Sequence, residues 1–375
     1  MGEGDRILKN LEFLLDVGSS KICLFACAKY SSGSIIVSSC EQLYEGFMDG
    51  EFFEPLQITD VVQKLMMEMS NRLKMKIKHV YVGVPSEFSV CVCKRKIRKY
   101  LQVQKLNSKL INELFEGIDE FKGGNEYNLI SFSPMQYELD SGFKTLKPEG
   151  KRTSQVILDG SYILAKKSFV ARFDKILHNL GVEQVDYVST ILGQALFCNK
   201  DLDSLEPVAI VDVGHLTTSV AIIKGEGLAL LSSFSLGGGQ ITADIMQLIN
   251  KSFKESELIK RKVVLTIKPK KDEKYEIVFK GAKLGASIQI TNDIVKSRIE
   301  NMAQIISNIL DIDVAFKDIP IYLTGDGIAN FKGAVTILEK ITNRKVYELK
   351  RPFDNSNNKF QTSPIGLAEI VSRLK

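Results

Sequence analysis

The sequence of 375 residues predicts a duplicated α/β fold with a small inserted α+β subdomain in its first half. Helix-period and strand-like segments alternate along the chain, which is typical of α/β proteins. One phrase occurs twice, as FLLDVGSSKICLF at residues 13–25 and as AIVDVGHLTTSVAII at residues 209–223. Each copy runs from an apolar strand through Asp-Val-Gly and small hydroxyl residues into a second apolar strand. This internal repeat predicts two related halves.

The composition is that of a globular protein, with 44% hydrophobic and 25% charged residues. The formal charge of +5 is small for this length and argues against a dedicated nucleic-acid binder. Six cysteines show no paired metal spacing, so we expect reduced thiols. No segment has the apolar length of a signal peptide or a membrane span, which predicts a cytoplasmic protein.

Apolar periodicity predicts the elements of the first half in order. A strand at residues 34–43 follows the first repeat, and apolar residues between 58 and 69 form the stripe of an amphipathic helix. A strand at residues 79–84 ends before Pro85. The following segment is typical of a compact insertion, with a strand at 88–93, a helix near 108–120, strands around 128–139, and loops at 122–125 and 147–150.

The main fold then resumes. The pattern predicts a strand at 161–165, a helix near 170–180, a helix at 189–198, the second repeat, a strand-turn-helix at 319–331 and a final helix after Pro364. The predicted boundaries are 1–77 and 158–206 for the first domain, 78–157 for the inserted subdomain and 207–375 for the second domain.

Each copy of the repeat predicts a turn that can bind phosphate. Glycine lets the backbone approach a ligand closely, and turn amides with neighbouring hydroxyls present donors to phosphate oxygens. A carboxylate one step earlier can hold the water shell of Mg²⁺. Two such hairpins facing each other would clamp a polyphosphate from both sides. The phosphate candidates are Gly18, Ser19, Ser20, Lys21, Gly214, Thr217 and Thr218, and the metal candidates are Asp16 and Asp212.

Two weaker elements lie in the second half. Residues 322–327 end a predicted strand in a glycine-rich turn, where a nucleoside could lie against the backbone of Gly325 and Gly327. Glu257 and Lys260 lie at positions i and i+3 of a predicted helix and could address ribose hydroxyls and the base. Taken alone, an ordinary turn and a solvated ion pair explain these two elements as well or better.

Together the four elements resemble the phosphate-1, phosphate-2, adenosine and ribose motifs of the superfamily of actin, heat-shock chaperone and sugar-kinase ATPases. Residues 15–21 and the insertion that begins at residues 79–86 look like those of the bacterial cell-division protein FtsA. The stretch LGGGQITADI at residues 236–245 and PIGL at residues 364–367 are similar to FtsA as well. This resemblance adds Gly238 to the candidate nucleotide-binding residues.

The resemblance implies an actin-like duplicated ATPase fold that binds ATP and Mg²⁺ in an interdomain cleft. It further implies a filament-forming, self-associating scaffold at the division site, on the cytoplasmic face of the membrane. Such a scaffold recruits the tubulin-like division protein and other division proteins. Nucleic acid is not an expected partner.

Three positions depart from the family pattern. His215 and Leu216 stand where relatives carry glycines, and Asp326 stands where a glycine is common. The segment expected to orient the attacking water reads Val188-Ser189, with Gln194 a turn further on. We therefore assign no catalytic residue and expect at most weak ATPase activity.

The end of the chain also departs from FtsA, whose relatives typically continue into a linker and an amphipathic membrane helix. The apolar stripe Leu367, Ile370, Val371 and Leu374 is interpreted as core of the fold. Membrane association is then expected to be indirect or weak. The basic run at residues 94–99 is interpreted first as an exposed strand edge kept soluble by charge, and second as a docking surface for an acidic segment or anionic lipid.

Two alternatives stay open. A scaffold similar to the type IV pilus assembly protein PilM shares the fold and the insertion, and gene neighbourhood would distinguish it. A small-molecule kinase would need a general base near the start of the second domain, and no second acid is evident beside Asp212.

Overall fold

The computed structural model describes residues 11–30, 33–115, 126–198, 205–350 and 361–374. The predicted loop at 122–125 and the second half of the helix predicted near 108–120 lie outside the described residues. The strands are β1 Leu11–Val17, β2 Lys21–Tyr30, β3 Gly33–Leu43, β4 Phe47–Met48, β5 Glu51–Phe52, β6 His79–Val84, β7 Ser89–Lys105, β8 Tyr127–Leu139, β9 Lys144–Thr145, β10 Arg152–Lys166, β11 Gln184–Ser189, β12 Val208–Val213, β13 Thr218–Lys224, β14 Gly227–Phe234, β15 Lys274–Phe279, β16 Ala282–Ser287, β17 Ile321–Thr324 and β18 Val346–Glu348.

The helices are α1 Pro55–Leu73, α2 Ser108–Phe115, α3 Lys167–Asn179, α4 Thr190–Cys198, α5 Gly238–Ile249, α6 Phe253–Lys260, α7 Ile288–Leu310, α8 Ala334–Thr342 and α9 Ser363–Arg373. Single 3₁₀ turns occur at Ser86–Phe88 and Val314–Phe316. The structure agrees with the helical stripe predicted at residues 58–69, because its six apolar positions are all buried in α1. Pro55 begins this helix, where its missing N–H costs nothing, and Lys74 ends it in the left-handed conformation.

Two five-stranded sheets repeat one design. The first has the order β11-β6-β1-β2-β3, and the other has the order β18-β17-β12-β13-β14. In each, a hairpin of the repeated phrase lies beside a parallel strand from later in the chain. Asp16 of β1 is in register with Gly83 of β6, and Asp212 of β12 is in register with Thr324 of β17. Each aspartate is thus the penultimate residue of the central strand of its sheet.

Helices cover both faces of the first sheet. On one face, α1 and α3 bury a core that includes Leu15, Val17, Phe88, Phe169 and Phe173. On the other face, Leu367 of α9 and Thr190 of α4 approach Gly83 so closely that an added Cβ would collide with them. Helices α4 and α9 meet at Gly193 and Gly366, where the backbones touch. Strands buried on both faces explain the nearly continuous apolar run of β1.

The insertion folds as its own small sheet, in the order β7-β10-β8-β9. Helix α2 covers one face of this sheet. The shared core consists of Leu106, Leu114, Phe115, Tyr137, Leu139, Val156 and Leu158. Strand β7 lies at the edge of the sheet, as the first interpretation of the basic run expects, but it is much longer than the strand predicted at 88–93.

Contacts divide the chain into two compact units. Unit 1 comprises Met1–Val208, Ala221–Ser232 and Ser363–Lys375, and unit 2 comprises Ala209–Val220 and Ser233–Thr362. The final helix, which the sequence assigned to the second domain, therefore clusters with unit 1. The domain boundaries drawn from the sequence stay predictions.

The mixed α/β architecture with duplicated sheets and an inserted subdomain confirms the predicted fold class. Within the described residues, none of the helices combines the length and apolar character needed to span a bilayer.

Candidate functional site

The first candidate phosphate turn connects β1 to β2 in unit 1. The Gly18 N–H donates to the Lys21 carbonyl over 3.0 Å and closes the turn. Ser19 is buried, and Ser20 is half-buried beside it. The repeated Asp-Val-Gly phrase folds this way because two apolar strands flank a glycine followed by small hydroxyl residues.

Residues 44–46, which follow β3, contact the carbonyl groups of this turn. The Tyr44 hydroxyl donates to the Gly18 carbonyl over 2.8 Å, and the Tyr44 N–H donates to the Ser20 carbonyl over 3.1 Å. Gly46 lies against the carbonyl group of Ser19, where an added Cβ would overlap the oxygen. The turn carbonyls are therefore committed to the segment at residues 44–46. A phosphate approaching from elsewhere would not meet the two oxygens that Tyr44 binds.

Asp16, in strand β1, contacts Ser363, the first residue of helix α9. The Ser363 hydroxyl donates to Asp16 Oδ2 over 2.6 Å, and the carboxyl is 6% exposed. Burial raises the pKa of this carboxyl, while the Ser363 hydrogen bond and the Lys21 ammonium act in the opposite direction. A buried carboxylate held at a strand end is a group that a bound cation would stabilise in its charged form.

Lys21 forms an ion pair with Glu41, with 2.8 Å between Nζ and Oε2. The structure thus gives the predicted phosphate ligand a partner on the neighbouring strand β3. Because the pair is partly exposed, it contributes little to stability, and its lysine can exchange partners at low cost.

The second candidate turn, between β12 and β13 in unit 2, packs against two other backbone turns. The Gly214 N–H donates to the Thr217 carbonyl over 2.9 Å, which matches the closing bond of the first turn. The Gly214 carbonyl accepts from the Gly238 N–H, and the His215 carbonyl accepts from the Gly239 N–H. Helix α5 therefore begins directly on this turn, and its first two amides are satisfied by it.

The turn after β17 completes the cluster. The Gly327 N–H donates to the Val213 carbonyl over 2.8 Å, and an added Cβ on Gly325 would collide with the Asp212 carboxylate. Gly325 has a φ of +87°, which favours glycine. Gly238 in turn touches the backbone of Gly327. The structure explains these glycines by close packing of three protein turns, a reason that the sequence interpretation, based on ligand approach, did not include.

Glu257 and Lys260 belong to a buried network. Lys260 Nζ lies 2.7 Å from Glu257 Oε2 and donates to the Gly238 carbonyl over 2.9 Å. The Thr242 hydroxyl donates to the same Glu257 oxygen over 2.6 Å. Burial opposes ionisation of Glu257, but the Lys260 ammonium and the hydrogen bonds to the carboxylate outweigh it and lower the pKa of Glu257. The network ties α6 to the first turns of α5.

Thr218 is buried and donates its hydroxyl to the Leu236 carbonyl, whereas Thr217 is half-buried. His215 packs its ring against Gly239 and lies edge-on to Phe253, with 6.0 Å between ring centroids. Burial, followed by the nearby Lys260 ammonium, lowers the pKa of His215. The His215 side chain, at a position where the sequence resemblance led us to expect glycine, is thus packed within unit 2.

We expect Lys260→Met to lower the free energy of unfolding by about 2–4 kcal/mol, because the buried Glu257 carboxylate loses its partner. The double variant Lys260→Met with Glu257→Gln should lose less free energy of unfolding than Lys260→Met alone. Chemical denaturation of the parent, both single variants and the double variant measures the coupling. The lowered pKa of Glu257 implies coupling that is present above its unfolded pKa and is lost as the pH falls through the folded pKa. Additive losses at pH 7 would contradict this network.

The described residues hold no cluster of three or more His, Cys, Asp or Glu side chains that could bind a metal. Mg²⁺ would need phosphate oxygens and water as its other ligands, which is its usual preference. These residues fit a hydrated cation and its phosphates for two reasons. Tyr44 binds the Gly18 and Ser20 carbonyls, so these oxygens do not repel phosphate, and Asp16 can ionise to balance the charge of the cation.

Gln194, which follows the segment expected to orient water, is 1% exposed within α4. Sequence reasoning missed Ser363, Tyr44 and Thr242, since nothing local marks their long-range partners.

Sequence comparisons relate the chain to cell-division proteins. The family model described as Cell division protein FtsA matches residues 209–365. FtsA of Bacillus subtilis (strain 168) is 20% identical over 372 residues, covering 96% of this chain and 83% of the relative. FtsA of Enterococcus faecalis (strain ATCC 700802 / V583) is 21% identical over 344 residues, covering 89% of this chain and 77% of the relative.

Two solved structures share the fold. A chain of the PilM-PilN type IV pilus biogenesis complex superposes with a TM-score of 0.63 at 14% identity, covering 96% of each chain. MreB5 of Spiroplasma citri bound to ADP gives a TM-score of 0.60 at 11% identity, covering 98% of this chain and 97% of that chain. The predicted resemblance to FtsA and the actin-like fold are confirmed.

Proposed function

We propose that this actin-like relative of FtsA binds Mg²⁺-ATP and acts as a filament-forming cell-division scaffold. In this role it recruits the tubulin-like division protein and other division proteins at the cytoplasmic face of the membrane, which it reaches indirectly or weakly. The observation that carries the proposal is the duplicated hairpin. Two sheets of the same strand order each have an aspartate as the penultimate residue of their central strand, followed by a turn that a glycine N–H closes.

The chemistry of each residue indicates which part of Mg²⁺-ATP it would bind. Turn residues Ser19, Ser20 and Thr217 supply donors to phosphate oxygens. Gly18 and Gly214 use their own N–H groups to close the turns and leave space for phosphate because they carry no side chain, and Thr218, whose hydroxyl donates to the Leu236 carbonyl, holds the second turn in place. Asp16 and Asp212 would hold the water shell of Mg²⁺. Bound Mg²⁺ would supply the positive charge that neutralises the polyphosphate and stabilises the buried Asp16 carboxylate.

The nucleoside end of the site is assigned to the cluster of turns in unit 2. Gly238, Gly325 and Gly327 are buried and let the three turns pack closely, and a nucleoside would lie against the surface of that cluster. Glu257 and Lys260 fix the start of α5 that carries Gly238. We propose that this pair acts chiefly through that support. Relatives crystallised with nucleotide are consistent with the assignment, since MreB5 of Spiroplasma citri is described bound to ADP and to AMPPNP.

We further propose that the chain hydrolyses ATP slowly. His215 and Leu216 give the turn side chains where glycines were expected, and Gln194, a turn beyond the segment expected to orient water, is buried. A scaffold needs nucleotide to hold a conformation and does not need rapid hydrolysis. We assign no catalytic residue.

Calorimetry with ATP tests the binding half of the proposal. We expect ATP to bind in the presence of Mg²⁺, and Asp212→Ala to weaken this binding on the order of tenfold or more, because one good charge-assisted contact is lost. Asp293→Ala removes an exposed carboxylate of α7 and serves as the matched control, with affinity unchanged. If the parent binds no ATP, or if Asp212→Ala binds as the parent does, the nucleotide assignment is wrong.

Sedimentation and electron microscopy with and without ATP test assembly. The structural likeness to PilM favours one alternative, a scaffold of pilus assembly. Binding of the tubulin-like division protein from the same genome supports the division role. Binding of a peptide from a membrane protein of the pilus, together with a gene position in a pilus cluster, would instead assign the chain to pilus assembly. The kinase alternative requires turnover on a panel of sugars.

A further inference from the structure

One segment of unit 2 carries most of the excess positive charge of the chain. Residues 262–283 contain seven lysines, three acidic residues and no arginine or histidine, which gives this segment a formal charge of +4. The formal charge of the whole chain is +5. The basic and acidic residues of the rest of the chain therefore nearly balance.

Six of the seven lysines keep their charge available for a partner. All seven are exposed. The seventh, Lys280, already acts on another group, since hydrogen bonds from Ser252 and then the Lys251 and Lys280 ammonium groups lower the pKa of Glu255. Within the described residues, no acidic side chain forms an ion pair with the ammonium groups of the other six, Lys262, Lys268, Lys270, Lys271, Lys274 and Lys283.

The basic run of strand β7 is different. Its two arginines pair with Asp159 and Glu113, and Lys94 and Lys96 also have partners. This agrees with the first interpretation of that run, an exposed strand edge kept soluble by charge. Residues 262–283 are therefore the stronger candidate for an anionic partner.

The β15–β16 hairpin holds part of this segment on a fixed support. Tyr275, Ile277 and Ala286 are buried on one face of the hairpin. The Tyr275 hydroxyl donates to Asn292 Oδ1 of α7 over 2.8 Å and accepts from the Val264 N–H over 3.0 Å. The buried face is thus anchored to α7.

The opposite face of the hairpin is exposed and combines lysines with an apolar side chain. Alternation along β15 places Lys274, Glu276 and Val278 on this face, and Lys283 of β16 is in register with Val278. Val278 is 67% exposed. A partner that approaches this face therefore meets ammonium groups beside an apolar side chain.

The residue types favour a membrane surface over a protein partner. Arginine recognises carboxylates and phosphates through a planar fork of donors, whereas lysine acts as a flexible point charge. The basic residues of the segment are all lysines, spread over a loop and a hairpin. This arrangement suits a surface whose phosphates have no fixed positions. Clusters of roughly four to eight basic residues are typical of segments that bind anionic lipid.

Two other occupants fit this surface less well. Pairing of two copies through it would bring lysines of the same charge together, and like charges repel. Single-stranded nucleic acid would need aromatic side chains on which its bases can stack. Tyr275 is buried, and Phe279 is half-buried.

We propose that residues 262–283 bind the surface of a bilayer that contains anionic lipids. The lysine ammonium groups lie at the level of the lipid phosphates, and Val278 lies among the headgroups. The inference deepens the weak membrane association of the proposed function, because it names the surface that makes the contact. It involves neither nucleotide nor a partner protein, so it is tested without them.

Flotation with lipid vesicles tests the contact. We expect the chain to float with vesicles of phosphatidylglycerol and phosphatidylcholine and to stay unbound with vesicles of phosphatidylcholine alone. Binding should weaken as salt is added, because salt screens exposed charges. Glycerol phosphate should displace the chain no better than sodium chloride at the same ionic strength, since a free phosphate lacks the charge density of a bilayer.

Charge-removing variants locate the surface. Lys274→Gln with Lys283→Gln should weaken vesicle binding roughly 20- to 30-fold, because each lysine near an anionic surface contributes about fivefold. The matched control is Lys340→Gln with Lys345→Gln, which removes the same charge from exposed positions of unit 2 outside the segment and should leave binding unchanged. Both double variants should keep the melting temperature of the parent, since every changed side chain is exposed.

A fluorescent side chain reports where the chain meets the lipid. The sequence contains no tryptophan, so Val278→Trp introduces a single emitter. Its emission should shift to shorter wavelength when vesicles with phosphatidylglycerol are added, because the indole ring leaves water for the headgroup region. Val314→Trp, at a position that is 85% exposed elsewhere in unit 2, should show no shift.

Several outcomes would overturn the proposal. They include binding that does not depend on phosphatidylglycerol, equal weakening by the two double variants, and a shift at Val314→Trp instead of Val278→Trp. An acidic peptide that binds the parent and loses affinity for Lys274→Gln with Lys283→Gln, without any vesicle binding, would assign the surface to a protein partner. A chain that binds Mg²⁺-ATP but no vesicles would contradict this inference alone and leave the nucleotide assignment intact.

Discussion

Replacing Gly46 with alanine is expected to lower the free energy of unfolding by roughly 3–5 kcal/mol. The added Cβ would overlap the Ser19 carbonyl oxygen, and the atoms nearest to it all belong to the Ser19 backbone, so no flexible side chain can move aside. The turn at residues 18–20 must then shift away from Tyr44, so the variant should also lose ATP affinity. Urea denaturation and calorimetry measure the two losses.

Gly285→Ala is the matched control for Gly46→Ala. Gly285 lies in β16, and its added Cβ would come nearest to the flexible side chain of Lys274 at 3.2 Å, with the Tyr275 carbonyl oxygen at an ordinary contact distance of 3.7 Å. Alanine there should be neutral or slightly stabilising, since it reduces the conformational entropy of the unfolded chain. A Gly46→Ala variant as stable as the parent would show that residues 44–46 do not brace the phosphate turn.

Asp16→Asn is expected to stabilise the folded protein near neutral pH and to abolish most Mg²⁺-dependent ATP binding. Burial raises the pKa of Asp16, so the folded state binds this proton more tightly than the unfolded chain does. Ionised Asp16 therefore costs stability as the pH rises through its folded pKa, and the cost is absent below the unfolded pKa of about 3.9. Asparagine removes that cost and can still accept the Ser363 hydroxyl.

Thermal denaturation at several pH values and calorimetry with Mg²⁺-ATP give the two readouts. The stability gained by Asp16→Asn should disappear in acid, and the loss of ATP affinity should be on the order of tenfold or more. Asp186→Asn, at a half-exposed carboxylate 2.7 Å from His79, is the control for ATP binding. Opposite changes in stability and affinity are typical of a binding residue. A variant that is less stable than the parent and binds ATP normally would mean that Asp16 is structural.

The fold could be predicted because its signals are local and repeated. The two Asp-Val-Gly hairpins each lie within one short stretch of chain, and apolar periodicity fixed α1 from six positions that are all buried. Strand β7 was harder. Its apolar start at residues 89–93 predicts a strand, but the following basic residues hide the alternation, because both faces of an edge strand carry polar side chains.

The details of the candidate site could not be predicted, because they depend on partners far apart in the chain. Ser363 donates to Asp16 across 347 residues, and Lys260 donates to the Gly238 carbonyl across 22. The pair Glu257 and Lys260 could be found by helical spacing, but no local pattern indicated that it is buried. Burial changes the meaning of the pair, from a solvated surface contact to a support for α5.

The location of the final helix has a consequence for synthesis on the ribosome. Helix α9 packs on α4 and β1 in unit 1, yet it is translated after the whole of unit 2. Until residues 363–373 leave the exit tunnel, the first sheet lacks half of the cover on one face, and the Asp16 carboxyl lacks its hydroxyl partner. Unit 2 can complete its own backbone contacts earlier. The strands of the first sheet, which are synthesised first, must therefore be protected by chaperones or fold slowly until helix α9 has been synthesised.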